Sequence, residues 1–176
     1  MALSNQDIQE KLSAKFGEAV SDFTEPYGML TLEVNSQNLF ELVRFLRDDE
    51  TLRFNFLTTL CGMHHPENAT EREFAVVYHL HNWVDNVRIR VKTYLNADKP
   101  EVESLVNLFA SANWQERETY DFFGITFKNH PDLRRILNMD EMVSFPLRKE
   151  FPLEDQGRTD KDDRYFGRTP LNANLN

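Results

Sequence analysis

Hydrophobic residues recur along the first third of the chain at spacings that distinguish helices from strands. Apolar side chains stand three or four residues apart over residues 8–23, which predicts an amphipathic helix that ends near Pro26. Residues 28–34 then alternate between apolar and polar side chains, as a strand with one buried face does. The chain is therefore expected to begin with a helix followed by a strand.

A second helix and a second strand follow in the same order. Residues 36–50 carry leucine and valine at helical spacing, and Asn35 or Ser36 can cap the start of this helix. Residues 51–63 are rich in apolar and β-branched side chains, which favours a strand.

The clearest local pattern is a predicted hairpin over residues 72–95. Two runs of β-favouring residues flank Asp85 and Asn86, a turn pair that tolerates a positive φ. Along the second run, one face is expected to enter the core and the other to be basic and exposed. The first face carries Val87, Ile89, Val91 and Leu95, and the second carries Arg88, Arg90, Lys92 and Tyr94.

Two further helices are predicted before the pattern fades. Asp98 and Glu101 have the spacing of a capping box, so a helix is expected over residues 102–109. Asn113 can cap a short helix that Gly124 ends in the left-handed conformation. Residues 1–127 are thus expected to form one α/β (α+β) domain, a mainly antiparallel four-stranded sheet packed with helices.

Residues 128–176 show little periodicity and are predicted to form an irregular, extended C-terminal arm. Phe-Pro-Leu occurs twice, and the residue before a proline is pushed out of the helical region. Phe, Leu and Tyr are too frequent here for a free solvated tail, so we expect the arm to bind a partner. The candidate contact residues are Phe145, Pro146, Leu147, Arg148, Phe151, Pro152 and Leu153.

Charge and composition narrow the possible functions. The net charge is −9, and residues 128–176 hold nine acids and nine bases, so residues 1–127 carry the whole excess. An acidic chain is a poor match to nucleic acid or to an anionic lipid surface. The single cysteine, Cys61, fits a cytoplasmic chain and excludes an iron–sulfur cluster held by four thiolates of this chain.

Two kinds of catalytic site are compatible with parts of the sequence. Glu118 and Asp121 lie three residues apart on a predicted helix and could form an acid–base pair, as in a metal-dependent hydrolase. Neighbouring arginines favour an ion-paired structural network instead. A metal site is disfavoured because the candidate ligands lack the spacing of known motifs. Those ligands are Cys61, His64, His65, His79 and His81.

The stretch from Trp114 to Leu137 resembles the signature of one family. The matching residues are Glu116, Arg117, Glu118, Asp121, Phe122, Phe123, His130, Arg134, Ile136 and Leu137. This family is the 30-kDa subunit, also called the C subunit, of the proton-pumping NADH:quinone oxidoreductase, respiratory complex I. The resemblance extends over roughly residues 28–155.

The resemblance implies a peripheral-arm subunit without a cofactor of its own, with FMN and iron–sulfur clusters in partner subunits. Its partners would be the 49-kDa subunit, which helps form the quinone site, and cluster-bearing neighbours. It would lie on the cytoplasmic side of the inner membrane and reach the membrane only through the complex. The equivalent subunit of a related membrane-bound hydrogenase, or of another donor:quinone oxidoreductase, is the alternative.

Within that family, we interpret the charged residues of the signature as an ion-paired corner that fixes the short helix to the chain leaving Gly124. The corner would serve the fold, or a subunit interface, or both. Its members are Glu116, Arg117, Glu118, Asp121, Arg134 and Arg135.

Overall fold

Residues 3–151 are described by this computed structural model, which contains three α-helices and seven strands in that range. In chain order they are α1 (Asn5–Phe16), β1 (Val20–Thr24), β2 (Leu30–Val34), α2 (Leu39–Asp48), β3 (Phe56–His64), β4 (Phe74–Asn82), β5 (Val87–Leu95), β6 (Glu101–Glu103), α3 (Ala112–Phe123) and β7 (Thr126–Lys128).

Five of the strands form one sheet in the order β1-β2-β5-β4-β3. Only β2 and β5 pair in parallel, while the three other pairings are antiparallel. The predicted α/β class and mainly antiparallel sheet are therefore confirmed, with five strands instead of four. The predicted hairpin is also confirmed, since β4 and β5 pair along their full length and Asn86 has a φ of 53°.

The additional strand, β1, lies where the first helix was predicted to continue. Helix α1 ends at Phe16 because Gly17 takes a φ of 51°, outside the helical region. Phe23 therefore belongs to β1, which pairs with β2. The prediction of a helix as far as Pro26 was wrong, because Phe23 fits the helical spacing by coincidence.

The predicted helix over residues 102–109 was also wrong. Glu101–Glu103 instead forms β6, which pairs in parallel with β7, and turns follow it. Val102 and Phe127 are both buried in this pair, so tertiary packing overrides the local capping pattern. The two other predicted N-caps were misplaced as well, since Ser111 precedes α3 and Asn38 precedes α2, whereas the predicted left-handed cap at Gly124 is confirmed.

The hydrophobic core lies on one face of the large sheet. Alternate residues of β2, β4 and β5 join the buried side chains of α1 and α2 in a single cluster. Helix α3 covers β3 on that face, where an added Cβ on Gly62 would lie only 2.7 Å from the ring of Phe123. Close packing on the core face of β3 therefore determines the position of α3.

Candidate functional site

Residues 129–151, here called the return segment, leave β7 and run back along α3 without forming a helix or strand. They hold most of the candidate residues that the structure describes. Pro152 and Leu153 lie outside the described residues. Because the return segment lacks regular structure, its position depends on individual contacts with α3.

The strongest of these contacts is made by Asp121, a fully buried residue of α3. Its Oδ1 lies 2.7 Å from Nη1 of Arg135, whose side chain is only 7% exposed. Its Oδ2 accepts hydrogen bonds from the backbone amides of Ile136, Leu137 and Asn138 at 3.1, 2.8 and 2.9 Å. One carboxylate thus fixes four consecutive residues of the return segment.

These donors explain the electrostatics of Asp121. Burial alone would raise the pKa of the Asp121 carboxyl, because it disfavours the charged form. Hydrogen bonds from the Asn138 and Leu137 amides and from Arg135 outweigh burial and hold that pKa well below its usual range. Asp121 therefore keeps its negative charge, and its carboxylate binds the return segment.

Arginines extend the attachment in both directions. Nη2 of Arg135 donates to the carbonyl oxygens of Met142 and Ser144 at 2.5 and 3.0 Å. Arg117, one turn before Asp121 on α3, donates to the carbonyl oxygens of Arg134 and Arg135. The chain on both sides of the Asp121 contact is thereby held in place.

The end of α3 binds the next part of the return segment. Gly124 has a φ of 72°, and a Cβ there would lie 2.6 Å from both Phe145 and Arg148. Arg148 Nε donates to the Phe123 carbonyl oxygen at 2.8 Å, and the Leu147 amide donates to that of Phe122 at 3.2 Å. Glycine is therefore required both for the left-handed helix end and for this close approach.

Two histidines fix the ends of the return segment. His130 contacts the Asn113 carbonyl oxygen through Nε2 at 3.1 Å, and its Nδ1 accepts from the Asp132 amide. His64, buried in β3, accepts from the Lys149 amide at 2.9 Å through Nδ1 and contacts Glu73 through Nε2. Both rings accept at Nδ1, which assigns the proton to Nε2.

Glu116 has a different environment, although it belongs to the same signature. It is fully buried, and its two oxygens accept from Ser104 Oγ at 2.6 Å and from the Leu105 amide at 2.7 Å. Burial raises the pKa of the Glu116 carboxyl to about 7, because it outweighs the two hydrogen bonds. Glu116 therefore holds residues 104–105 against α3.

The predicted ion-paired corner needs correction, because its six members do not form one network. Asp121 pairs with Arg135, whereas Arg117 pairs with no acid, donates to carbonyl oxygens and lies over the Trp114 ring. Glu118 is exposed, and Arg134, also exposed, pairs with its neighbour Asp132. The spacing on α3 accounts for this, since residues 117 and 121 share the face towards the return segment while residue 118 points away.

The same geometry bears on the alternative catalytic interpretations. Glu118 and Asp121 do not form the proposed acid–base pair. Asp121 already accepts hydrogen bonds from several donors, whereas Glu118 faces solvent. Within residues 3–151, no three His, Cys, Asp or Glu side chains are grouped so that they could hold a metal ion.

The return segment exposes five large apolar side chains, interspersed with charged residues such as Asp140 and Glu141. Leu137, Met139 and Val143 are 64%, 74% and 93% exposed, and Leu147 and Phe151 are also exposed. These five residues, here called the apolar row, belong to a segment that hydrogen bonds attach to α3. A fixed segment with exposed apolar side chains defines a class of protein, a domain that presents a contact surface to a partner.

Comparisons with known proteins identify the family within that class. Residues 32–157 match the family described as respiratory-chain NADH dehydrogenase, 30 Kd subunit. The C subunit of NADH-quinone oxidoreductase from Roseiflexus sp. (strain RS-1) is 41% identical over 173 residues, which cover 97% of this chain and 98% of that one. Its counterpart from Citrifermentans bemidjiense is 43% identical over 158 residues, 90% of this chain and 95% of that one.

Solved structures agree with this result. A trypsin-resistant fragment of Nqo5 is 28% identical, with a TM-score of 0.61, and the match covers 72% of this chain and 98% of the fragment. A chain of the archaeal membrane-bound sulfane sulfur reductase has the same fold, with a TM-score of 0.68 at 21% identity over 84% of this chain and 85% of that one. The chain belongs to the 30-kDa subunit family of respiratory-chain NADH dehydrogenase, as the resemblance implied, and its curated relatives favour this assignment over related donor:quinone enzymes. None of the helices described here is long and apolar enough to cross a membrane.

Replacing Asp121 by Asn tests the main contact of the return segment. The substitution leaves the buried Arg135 guanidinium without its anion and turns an amide NH₂ towards backbone donors. Breaking such a buried pair costs about 3–5 kcal/mol, which a urea denaturation series will measure. The control Arg134→Met removes only an exposed pair and should cost less than about 1 kcal/mol. Equal, small losses in both variants would contradict the assignment.

Replacing Glu116 by Gln tests the buried carboxyl through the pH dependence of stability. The folded chain keeps the Glu116 proton up to pH about 7, whereas the unfolded chain loses it near the ordinary pKa of 4.5. The folded state then binds more protons between these values, so the free energy of unfolding falls as pH rises through this window, by about 3 kcal/mol.

Glutamine cannot ionise, so Glu116→Gln should lack this contribution and gain stability relative to wild type as pH rises. Urea denaturation at pH 5, 6, 7 and 8 measures the difference. Glu118→Gln, at an exposed position of the same helix, should keep the wild-type pH dependence. An unchanged pH dependence in Glu116→Gln would show that Glu116 is already ionised at pH 5 in the folded chain.

Proposed function

We propose that this chain is a peripheral-arm subunit of the NADH:quinone oxidoreductase that supports electron transfer from NADH to quinone, coupled to proton translocation. It would do so by holding the 49-kDa subunit, which helps form the quinone site, in a fixed position. The chain would contain no cofactor of its own, so FMN and iron–sulfur clusters would belong to neighbouring subunits. It would lie on the cytoplasmic side of the inner membrane and take part in catalysis only within the complex.

The apolar row of the return segment is the observation that carries this proposal. Leu137, Met139 and Val143 are more than half exposed although each is a large apolar residue. Several large apolar side chains left exposed in one segment are a common feature of contact sites for other proteins. The row therefore supplies the surface on which the 49-kDa partner would bind.

The contacts below the row explain how binding would be both tight and precise. A segment that orders only on binding loses affinity to the entropy of ordering. Here Asp121, Arg135 and Arg148 fix the backbone in advance through hydrogen bonds to α3 and to carbonyl oxygens of the segment. Rigid positioning matters near a redox site, because a displacement near 1 Å at a reaction centre is costly.

The variant Met139→Glu/Val143→Glu tests the partner surface. Both side chains are exposed, so the melting temperature of the isolated chain should stay close to that of wild type. A charge in a desolvated interface should weaken binding to the co-expressed 49-kDa subunit at least tenfold, about 1.4 kcal/mol. Affinity measured with both purified subunits gives the result directly.

A control is Ala110→Glu, an exposed position before α3 and outside the return segment. It should bind the 49-kDa subunit as wild type does. Normal binding by Met139→Glu/Val143→Glu would place the interface elsewhere, and failure of the wild-type chain to bind the 49-kDa subunit would refute the proposed partner.

A further inference from the structure

The large sheet has a second face that none of the described helices covers. Residues of β3, β4 and β5 that alternate with the core residues point to this side, here called the outer face. The outer face consists of Phe56, Thr59, Cys61 and Met63 on β3, Ala75, Val77, His79 and His81 on β4, Arg88, Arg90, Lys92 and Tyr94 on β5, and Trp83 at the hairpin.

Part of the outer face is apolar although it is exposed to water. Phe56, Met63 and Trp83 are 40%, 36% and 61% exposed. The rings of Phe56 and Trp83 pack edge to face with centroids 5.1 Å apart, and the His81 ring lies 4.9 Å from that of Trp83. Antiparallel sheets with one wet face normally carry polar residues there. Tryptophan, phenylalanine and methionine are instead enriched at protein interfaces.

A basic stripe runs beside this apolar area. Arg88, Arg90 and Lys92 alternate along β5, and within residues 3–151 none of them forms a salt bridge. The nearby acids have other partners, because Glu33, which lies opposite Lys92, pairs with Arg72 and Asp85 with Arg53.

The contacts of His79 also indicate that a binding partner is missing beside the basic stripe. Arg90 Nε donates to His79 Nε2 at 2.9 Å, so a cation is directed to a neutral ring rather than to a carboxylate. His79 Nδ1 is buried and has no hydrogen-bond partner among the described residues. Because Nε2 accepts from Arg90, the neutral ring carries its proton on Nδ1. Buried donors are normally satisfied, so a hydrogen-bond acceptor is missing at this position.

The sign of the charge indicates what would cover the face. Residues 1–127 carry an excess of nine acids, yet this face presents three cations outside any salt bridge of the described residues. Complementary charge across an interface steers association and determines register. An acidic surface with apolar residues would meet both the stripe and the Phe56–Trp83 area. Three cations on an acidic chain are a weak basis for binding nucleic acid, which needs a broad basic face.

We propose that the outer face binds an acidic surface of a second protein of the same complex. This inference rests on the proposed function, because it takes the chain to be part of that assembly. The contact would be separate from the apolar row, since the row stands on α3 and α3 packs on the opposite face of the sheet. The chain would then bridge two neighbours.

Two measurements on the assembled complex test this directly, using a complex purified by a tag on this chain. Hydroxyl-radical footprinting should oxidise Met63 and Trp83 at least fivefold more slowly in the complex than in the free chain. Carbodiimide treatment joins lysine amines to carboxylates that touch them, so Lys92 should cross-link to an Asp or Glu of another subunit.

A charge reversal, Arg88→Glu/Lys92→Glu, adds a functional readout. The neighbour that is cross-linked to Lys92 should be recovered at least tenfold less with this variant at moderate salt, while the 49-kDa subunit is retained through the apolar row. Arg44→Glu/Lys99→Glu makes the same change in net charge at exposed positions away from the outer face and should recover every subunit normally.

Four other outcomes would contradict either this inference or the proposed function. Equal oxidation of Met63 and Trp83 in the free chain and in a complex that contains the chain would overturn this inference and leave the proposed function intact. Failure of the tagged chain to co-purify any other subunit of the oxidoreductase would instead overturn the proposed function. Dimerisation of the isolated chain that Arg88→Glu/Lys92→Glu abolishes would assign the face to a second copy. Binding to anionic vesicles through the face, without protection in the complex, would assign it to a membrane surface. Both of these outcomes contradict the proposal.

Discussion

The buried carboxylate of Asp121 is the constraint on which the functional part of this structure depends. A charge inside a protein is tolerated only when donors replace the water it has lost. Asp121 meets this requirement with a guanidinium and three consecutive backbone amides, all from residues 135–138. Helix α3 and the return segment therefore cannot separate without leaving Asp121 and Arg135 unpaired.

Further contacts depend on this first one. With Arg135 fixed, its second amino group reaches the carbonyl oxygens of Met142 and Ser144, which brings Phe145 and Arg148 to Gly124. Residues without regular structure thereby become an ordered surface that presents the apolar row. The core determines the position of α3, because α3 packs closely on Gly62. The sheet then leaves its outer face available for a second neighbour.

Local patterns in the sequence were sufficient to predict part of the fold and part of the candidate site. Alternation revealed the β4–β5 hairpin, and Gly124 marked the end of α3, because both features depend on residues close in sequence. The sequence also placed Asp121 and Arg135 in one charged cluster, although it did not identify them as a pair. Glu116 could not be assigned in the same way, since its partners are Ser104 and the Leu105 amide, in a stretch that local spacing predicts to be helical.

Strand β6 and the orientation of Glu118 were missed for a related reason. Pairing of β6 with β7 joins residues about 25 positions apart, so no local pattern predicts it. Glu118 resembles its acidic neighbours in sequence, but the rotation of the helix turns it to solvent while Asp121 is buried. A cluster of charges thus identifies the site, while only the three-dimensional structure assigns the partners.

Hydrogen–deuterium exchange on the isolated chain tests most directly whether the return segment is held in place before any partner binds. The amides of Ile136, Leu137 and Asn138 donate to Asp121, so their exchange should be slowed strongly in wild type and much less in Asp121→Asn. Amides of the β4–β5 hairpin provide the internal reference for a folded core. Exchange of these three amides at the unprotected rate in the wild-type chain, with the hairpin still protected, would show that the segment becomes ordered only in the complex and would contradict the account.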